Sequence, residues 1–190
     1  GEERGAHAEW RSVLRGEDRD ARLTLAALAA GEGWYHLAID AANEAAAHDA
    51  LELRFPLAFR EVFSARAQAL GLAESELMAI ARRESAFFPA AHSSAGARGL
   101  MQVLPSTGRQ VASRLGVAAP AASLYRVEDN VLIGSAYYRQ LLERYGGNRV
   151  LALAAYNAGP NRVDNWRGRD LPLEAWIETL PFRETRDYVK

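Results

Sequence analysis

A glutamate stands where a helix would otherwise bury an aliphatic side chain, and this placement constrains the chain more than any other feature. Read with a period of 3.6, the stretch 74–87 puts Leu77, Ile80 and Ala81 on one stripe, which Glu84 continues seven, four and three positions on. A carboxylate on such a stripe loses water when the stripe is buried, and Pro89 is expected to end the helix. Burial disfavours the charged carboxylate and raises its pKa above the usual value of about 4.3. An acid held protonated near neutral pH can give a proton to a leaving group. Position alone fits equally well a partly exposed glutamate at a frayed helix end, paired with Arg82 or Arg83.

The rest of the chain reads as helix too. Residues 8–14, 19–30 and 34–46 form short amphipathic stretches punctuated by Gly16, Gly31 and Gly33, and another runs from about 58 to 70. Helix pairs with glycine breaks fit stacked solenoid repeats, and a plain helical subdomain equally well. Beyond Gly71 the helices lengthen. Asp129-Asn130 reads as the cap of an amphipathic helix ending near Gly146-Gly147, and Asn148 caps the next, to Tyr156. Pro160 and Pro172 each start a short helix. Alternating strands are missing, apart from a small hairpin-like element around 95–102. The fold class expected is therefore mainly α.

Composition bounds what such a chain can do. It has 190 residues, 49% hydrophobic and 25% charged, enough for one sizeable core or two small ones. No apolar run approaches the roughly 20 residues of a membrane span. The chain opens on charge, Gly1-Glu2-Glu3-Arg4, without a secretory signal, as a mature or cut chain would. It has no cysteine, which excludes disulfides, thiolate catalysis and cysteine zinc sites. His7, His36, His48 and His92 show no ligand spacing, so neither a metal nor a cofactor is expected. Residues 1–63 carry a net charge of −5 and residues 64–190 one of +4. A basic second part suits an acidic polymer. Its arginines are dispersed and no nucleic-acid-binding motif appears, so nucleic acid is not the expected partner.

Four short motifs follow in order: Glu84-Ser85, Gly99-Leu100-Met101-Gln102, Ala155-Tyr156-Asn157-Ala158-Gly159-Pro160, and Pro181-Phe182-Arg183-Glu184-Thr185-Arg186. Their order and spacing resemble the lytic transglycosylases with a goose-lysozyme-like catalytic domain. The last motif, with the helical stretch ahead of the domain, narrows the resemblance to the large soluble type. It implies a lysozyme-like catalytic domain over 64–190, preceded over 1–63 by a helical linker that ends an α-superhelical region. Leu53-Arg54-Phe55-Pro56-Leu57-Ala58 is the closest local match in that linker. The resemblance also implies a chain cut at both ends, a periplasmic location and a monomer acting on peptidoglycan glycan strands.

Glycoside cleavage ordinarily uses two carboxylates, and one well-placed carboxylate is found here. The resemblance supplies a single-acid route. Glu84 protonates the oxygen between N-acetylmuramic acid and N-acetylglucosamine while the acetamido oxygen of the substrate assists at C1. Glu84 then takes the proton of the muramoyl C6 hydroxyl, which closes a 1,6-anhydro ring without consuming water. The resemblance further implies that Ser93 hydrogen-bonds near Glu84 and the acetamido group, and that Gln102 contacts the glycan beside the scissile bond. By the same token Tyr156 places its hydroxyl at that site, Asn157 supports its loop and Glu184 binds sugar or peptide groups. Tyr156 also fits a core aromatic, Glu184 a salt bridge with Arg183 or Arg186, and Gly99 and Gly159 pure backbone geometry. Leu104 and Phe88 depart from the family pattern. Leu104 stands in the groove where methionine is common, and Phe88 where a small polar or charged residue is. Two other readings compete: a muramidase that adds water at the same bond, and a non-catalytic cell-wall-binding module. The Pro-Phe-x-Glu-Thr-Arg segment speaks against the first and the intact Glu84 against the second.

Overall fold

The computed structural model describes residues 2–118, 120–167 and 171–190, with side chains from residue 7 onward. Twelve α-helices run in chain order among them. The chain divides into two compact units, Gly1–Val131 and Leu132–Lys190.

In the first unit, α1 (Glu2–Gly16), α2 (Arg19–Gly31), α3 (Tyr35–Glu44) and the single turn α4 (Leu51–Arg54) come first. Asp18 caps α2 by accepting from the Ala21 amide at 2.9 Å. Ala26, Ala29, Ala38, Ala41 and Ala42 are fully buried. Side chains this small let α2 and α3 pack closely around Leu14, with Trp10, Leu25 and Leu53 against the same cluster. The helix expected over 8–14 extends in both directions.

Next come α5 (Arg60–Leu70), α6 (Glu74–Ser85) and α7 (Pro105–Leu115). Gly71 and Gly116 end α5 and α7 in the left-handed region, and Pro105 opens α7. The buried face of α6 holds Leu77, Ile80 and Ala81, as the sequence pattern requires, and Met78 beside them. Proline does not terminate this helix. It ends at Ser85, four residues before Pro89, because Ala86 and Phe87 both take positive φ, 52° and 64°. That reversal buries Phe87 edge-on against Phe63, with ring centroids 6.2 Å apart. Arg82, on the flank of α6, holds the segment that follows α4. Its Nε donates to the Arg54 carbonyl at 2.5 Å, and its guanidinium lies 4.2 Å over the Phe55 ring.

The hairpin-like element consists of isolated bridges, His92 to Arg98 and Arg98 to Val103. After a 3-10 turn at Ser123–Tyr125 comes α8 (Val127–Arg144), within which the division between units falls. It starts earlier than the sequence pattern placed it. Asp129 and Asn130 therefore lie inside its first turns and do not cap it.

The second unit continues with α9 (Arg149–Ala158), α10 (Pro160–Trp166), α11 (Leu173–Glu178) and α12 (Arg183–Val189). Asn148 caps α9, accepting from the Leu151 amide at 3.1 Å. Tyr138, Leu141, Leu151, Ala155, Val163, Trp176 and Leu180 are buried here. The Trp176 indole N–H donates to the Trp166 carbonyl at 3.0 Å, which fastens α11 to the end of α10.

Candidate active site

Glu84 is half-buried on the last turn of α6, at the rim of the apolar stripe. Its neighbour Ser85 ties that turn to the Gly-Leu-Met-Gln segment. The Ser85 hydroxyl donates to the Leu100 carbonyl at 2.7 Å and accepts from the Phe88 amide at 3.1 Å. The glutamate is thereby held at a fixed place relative to the turn that carries Gln102.

That turn is locked from beneath by Asn130, which is 1% exposed. Its Nδ2 donates to the carbonyls of Arg98 at 2.8 Å and Leu124 at 2.7 Å, and its Oδ1 accepts from the Met101 amide at 2.7 Å. Both amide donors are thus used. Gly99 has φ +73° and presses on this amide; a Cβ there would lie 2.1 Å from the Leu124 oxygen and 2.4 Å from Asn130 Nδ2. The glycine is required by close approach as well as by backbone angle.

Gln102 itself sits at φ 48°. Its Nε2 donates to the Gly99 carbonyl at 2.9 Å and the Ala91 carbonyl at 3.2 Å, which fixes the side chain and leaves Oε1 outside these bonds. Ser93 closes the hairpin-like element. Its hydroxyl accepts from the Ala97 amide at 3.0 Å, and its own amide donates to the Ala97 carbonyl at 3.0 Å. Leu104 caps α7 and is 40% exposed, an apolar side chain left facing solvent. The Phe88 departure has a local partner, since His36 stacks on its ring at 4.1 Å.

In the second unit Asn157 and Glu184 are joined, and Tyr156 precedes Asn157 on α9. The half-buried Tyr156 ring lies against Tyr137 and Tyr138, with centroids 5.4 and 6.4 Å apart. Burial raises the Tyr137 hydroxyl's pKa above its ordinary value. Asn157 joins α9 to α12. Its Nδ2 donates to Glu184 Oε1 at 3.1 Å, and its Oδ1 accepts from the buried Thr185 hydroxyl at 2.7 Å. Glu184 is therefore held by an amide, while Arg183 pairs with Asp187 and Arg186 donates to the Leu180 carbonyl.

Ser85, Arg82 and Asn130 act as positioning residues, a role that the sequence, which offered them as a motif member, an ion-pair partner of Glu84 and a helix cap, did not assign to them. For Asn130 a signal existed. It shares a helical face with Ile133 and Gly134, both buried, so it is a polar group on an apolar stripe, the pattern that drew attention to Glu84.

A helical scaffold that presents a half-buried glutamate beside a hydrogen-bonded turn is lysozyme-like in fold, as its solved structural neighbours show. The chain belongs to the transglycosylase SLT family, whose "Transglycosylase SLT domain" matches residues 61–177, while the "Soluble lytic murein transglycosylase L domain" matches residues 1–51. It is similar to an inactive mutant of lytic transglycosylase Slt from Pseudomonas aeruginosa, with 42% identity and a TM-score of 0.92 over 100% of this chain and 31% of that one. It is likewise similar to the 70 kDa soluble lytic transglycosylase from Escherichia coli, with 35% identity and a TM-score of 0.92 over 99% of this chain and 31% of that one. The soluble lytic murein transglycosylase of Salmonella typhimurium is 36% identical over 97% of this chain and 30% of its own length. The chain thus spans about a third of the length of the relatives it matches. Among the described residues no helix is long and apolar enough to cross a membrane.

Proposed function

We propose that this chain carries the catalytic domain of a peptidoglycan lytic transglycosylase. It cleaves the β-1,4 bond between N-acetylmuramic acid and N-acetylglucosamine and leaves 1,6-anhydromuramoyl ends. The observation that carries this reading is the fixed relation between Glu84 and the Gln102 turn through Ser85, within a chain of the SLT family. A reacting acid must be held by its surroundings rather than by the substrate, and Ser85 and Asn130 supply that hold.

Glu84, protonated, gives its proton to the glycosidic oxygen as the bond to C1 breaks. The acetamido oxygen of the muramoyl sugar bonds to C1 from the opposite face, replacing the second carboxylate of ordinary glycosidases. The Glu84 carboxylate then accepts the proton of the C6 hydroxyl, whose oxygen bonds to C1 and displaces the acetamido oxygen. Glu84 ends protonated, ready for another turnover, and no water is consumed. Gln102 Oε1 accepts from a sugar hydroxyl or amide beside the scissile bond, Ser93 bonds the acetamido group, and Leu104 offers an apolar sugar contact. Tyr156 places its hydroxyl near the acetamido group or Glu84, Asn157 supports its loop, and Glu184 binds sugar or peptide groups. The N-terminal 1–63 form a linker and 64–190 the catalytic domain, a division supported by the intervals of the two family models. The protein acts in the periplasm as a monomer.

Mass spectrometry of digested peptidoglycan tests the reading. Anhydromuramoyl ends are expected, with no oxygen-18 incorporated from labelled water. Reducing ends that carry the label at C1 would make the chain a muramidase.

A further inference from the structure

The hairpin-like element that carries Ser93 begins at His92 and closes at Arg98, which pair as a bridge. The residue before it is tied to the Gln102 turn, since the Ala91 carbonyl accepts from the Gly99 amide at 2.9 Å and from Gln102 Nε2 at 3.2 Å. A second anchor comes from Tyr125. Its hydroxyl lies 3.1 Å from His92 Nδ1, and the two rings are 6.3 Å apart at 59°. The Arg98 guanidinium stands 5.4 Å over the same Tyr125 ring, while its Nη1 donates to the Ala121 carbonyl at 2.8 Å. One side chain thus meets both ends of the element. Tyr125 is itself fixed. It ends the 3-10 turn, and the preceding residue, Leu124, is fully buried with its carbonyl accepting from Asn130 Nδ2 at 2.7 Å.

We propose that Tyr125 is a positioning residue for Ser93 in glycan cleavage, an assignment that rests on the role given to Ser93 above. The Ser93 hydroxyl accepts from the Ala97 amide at 3.0 Å, which uses one lone pair and leaves its proton and the other lone pair for the acetamido group of the substrate. Where that hydroxyl points depends on the closure of the element, made by the Ser93 and Ala97 main chains and continued by the His92–Arg98 bridge. An isolated bridge has no neighbouring ladder to hold it, so its side-chain anchors decide how firmly it stays closed. Ser94 and Ala95 are exposed and bring no packing to the task. A displacement of about 1 Å at a reacting centre can cost roughly 100-fold in rate, so a loosened anchor is read in catalysis even where global stability hardly changes.

Cleavage of peptidoglycan glycan by the full chain is measured as kcat/KM whichever ends form, with melting temperatures taken on the same preparations. Tyr125→Phe deletes the hydroxyl and keeps the ring beneath Arg98. It should lower kcat/KM by about three- to tenfold, with a melting temperature close to wild type. His92→Ala should match it, and the two together should be no worse than either alone. His92→Gln keeps a side chain that can pair with the hydroxyl and should retain most of the rate. Ser93→Ala is the deciding variant. Because Tyr125 acts through Ser93, adding Tyr125→Phe to Ser93→Ala should cost nothing further. Losses that multiply independently overturn the proposal, as does a Tyr125→Phe protein with wild-type kcat/KM or one whose only defect is a lower melting temperature. Wild-type activity of Ser93→Ala removes the role of Ser93 and this proposal with it. The ends formed are identified separately. Reducing ends with non-additive losses would refute transglycosylation and leave Tyr125 in its place, whereas anhydro ends with independent losses would do the reverse.

Discussion

The Asn130 side chain fills the space that a side chain at Gly99 would need: a Cβ there would meet Asn130 Nδ2 at 2.4 Å. The two residues form one device, since the missing side chain admits the amide and the amide fixes the turn. Asn130→Ala leaves the Met101 amide and the Arg98 and Leu124 carbonyls without this partner, at a cost of about 1–3 kcal/mol per buried group left unsatisfied. Gly99→Ala should cost at least about 2 kcal/mol from overlap with the Leu124 oxygen and from the positive φ. Combining the two should be less than additive, because removing the Asn130 amide relieves one of the clashes. Denaturant unfolding of the four proteins measures this. Full additivity would mean that the turn moves away from Asn130.

Glu84→Gln addresses the chemistry. An amide can neither give nor accept the transferred proton, so the rate of anhydro-product formation should fall by about 10²–10⁴-fold or more. Glycan binding and the helical circular dichroism should be retained, since Ser85 ties α6 to the turn. Digestion near the wild-type rate would remove Glu84 from the role assigned to it.

Parts of the site differ in how readable they were. The α6 stripe was legible because Leu77, Ile80 and Ala81 are buried through ordinary helical periodicity. The end of that helix was not, since Pro89 is the conventional stop and the actual break is made by Ala86 and Phe87 in a backbone region that non-glycine residues rarely enter. Tertiary packing of Phe87 on Phe63 sets that conformation. Asn130 looked like a cap because asparagine near a helix start commonly is one. Its partners lie 6 to 32 residues away in sequence, and no local pattern records them. Residues 53–58 were noted as a short local match, whereas the contact that fixes them, Arg82 on Phe55 and the Arg54 carbonyl, joins residues 27 and 28 apart.

Asn157 offers a separation of structure from substrate contact. Asn157→Ala strands the buried Thr185 hydroxyl and should cost about 1–3 kcal/mol, whereas Asn157→Ala combined with Thr185→Val should recover part of that loss. Glu184→Gln keeps an oxygen that can accept from Asn157 Nδ2, so its stability should stay close to wild type. If Glu184 binds glycan through its charge, that variant should raise KM with kcat little changed. A melting temperature well below wild type, with KM unaltered, would make Glu184 a purely structural partner of Asn157.

His36 gives the chain a pH-dependent term in the acid range. Burial against Phe88 is the main cause that lowers its pKa from 6.5 to about 4; the charge of His7 acts in the same direction and Asp40 opposes both. The unfolded chain therefore binds a proton between pH 6.5 and about 4 that the folded chain refuses. Stability from this residue is complete above pH 6.5 and is lost as pH falls to about 4; below that both states are protonated and the loss levels off. Carboxylates such as Asp164, held below their usual range by Arg144, also lose stability in acid, but they do so in any His36 variant. The comparison is therefore with His36→Phe, which keeps a ring to stack on Phe88 and has nothing to titrate. Melting temperatures of the two proteins should run parallel above pH 6.5 and diverge below it, wild type falling faster down to about pH 4. Curves that stay parallel through this window would show that the imidazole accepts its proton as readily in the folded chain as in the unfolded one, and that the stack opens to solvent.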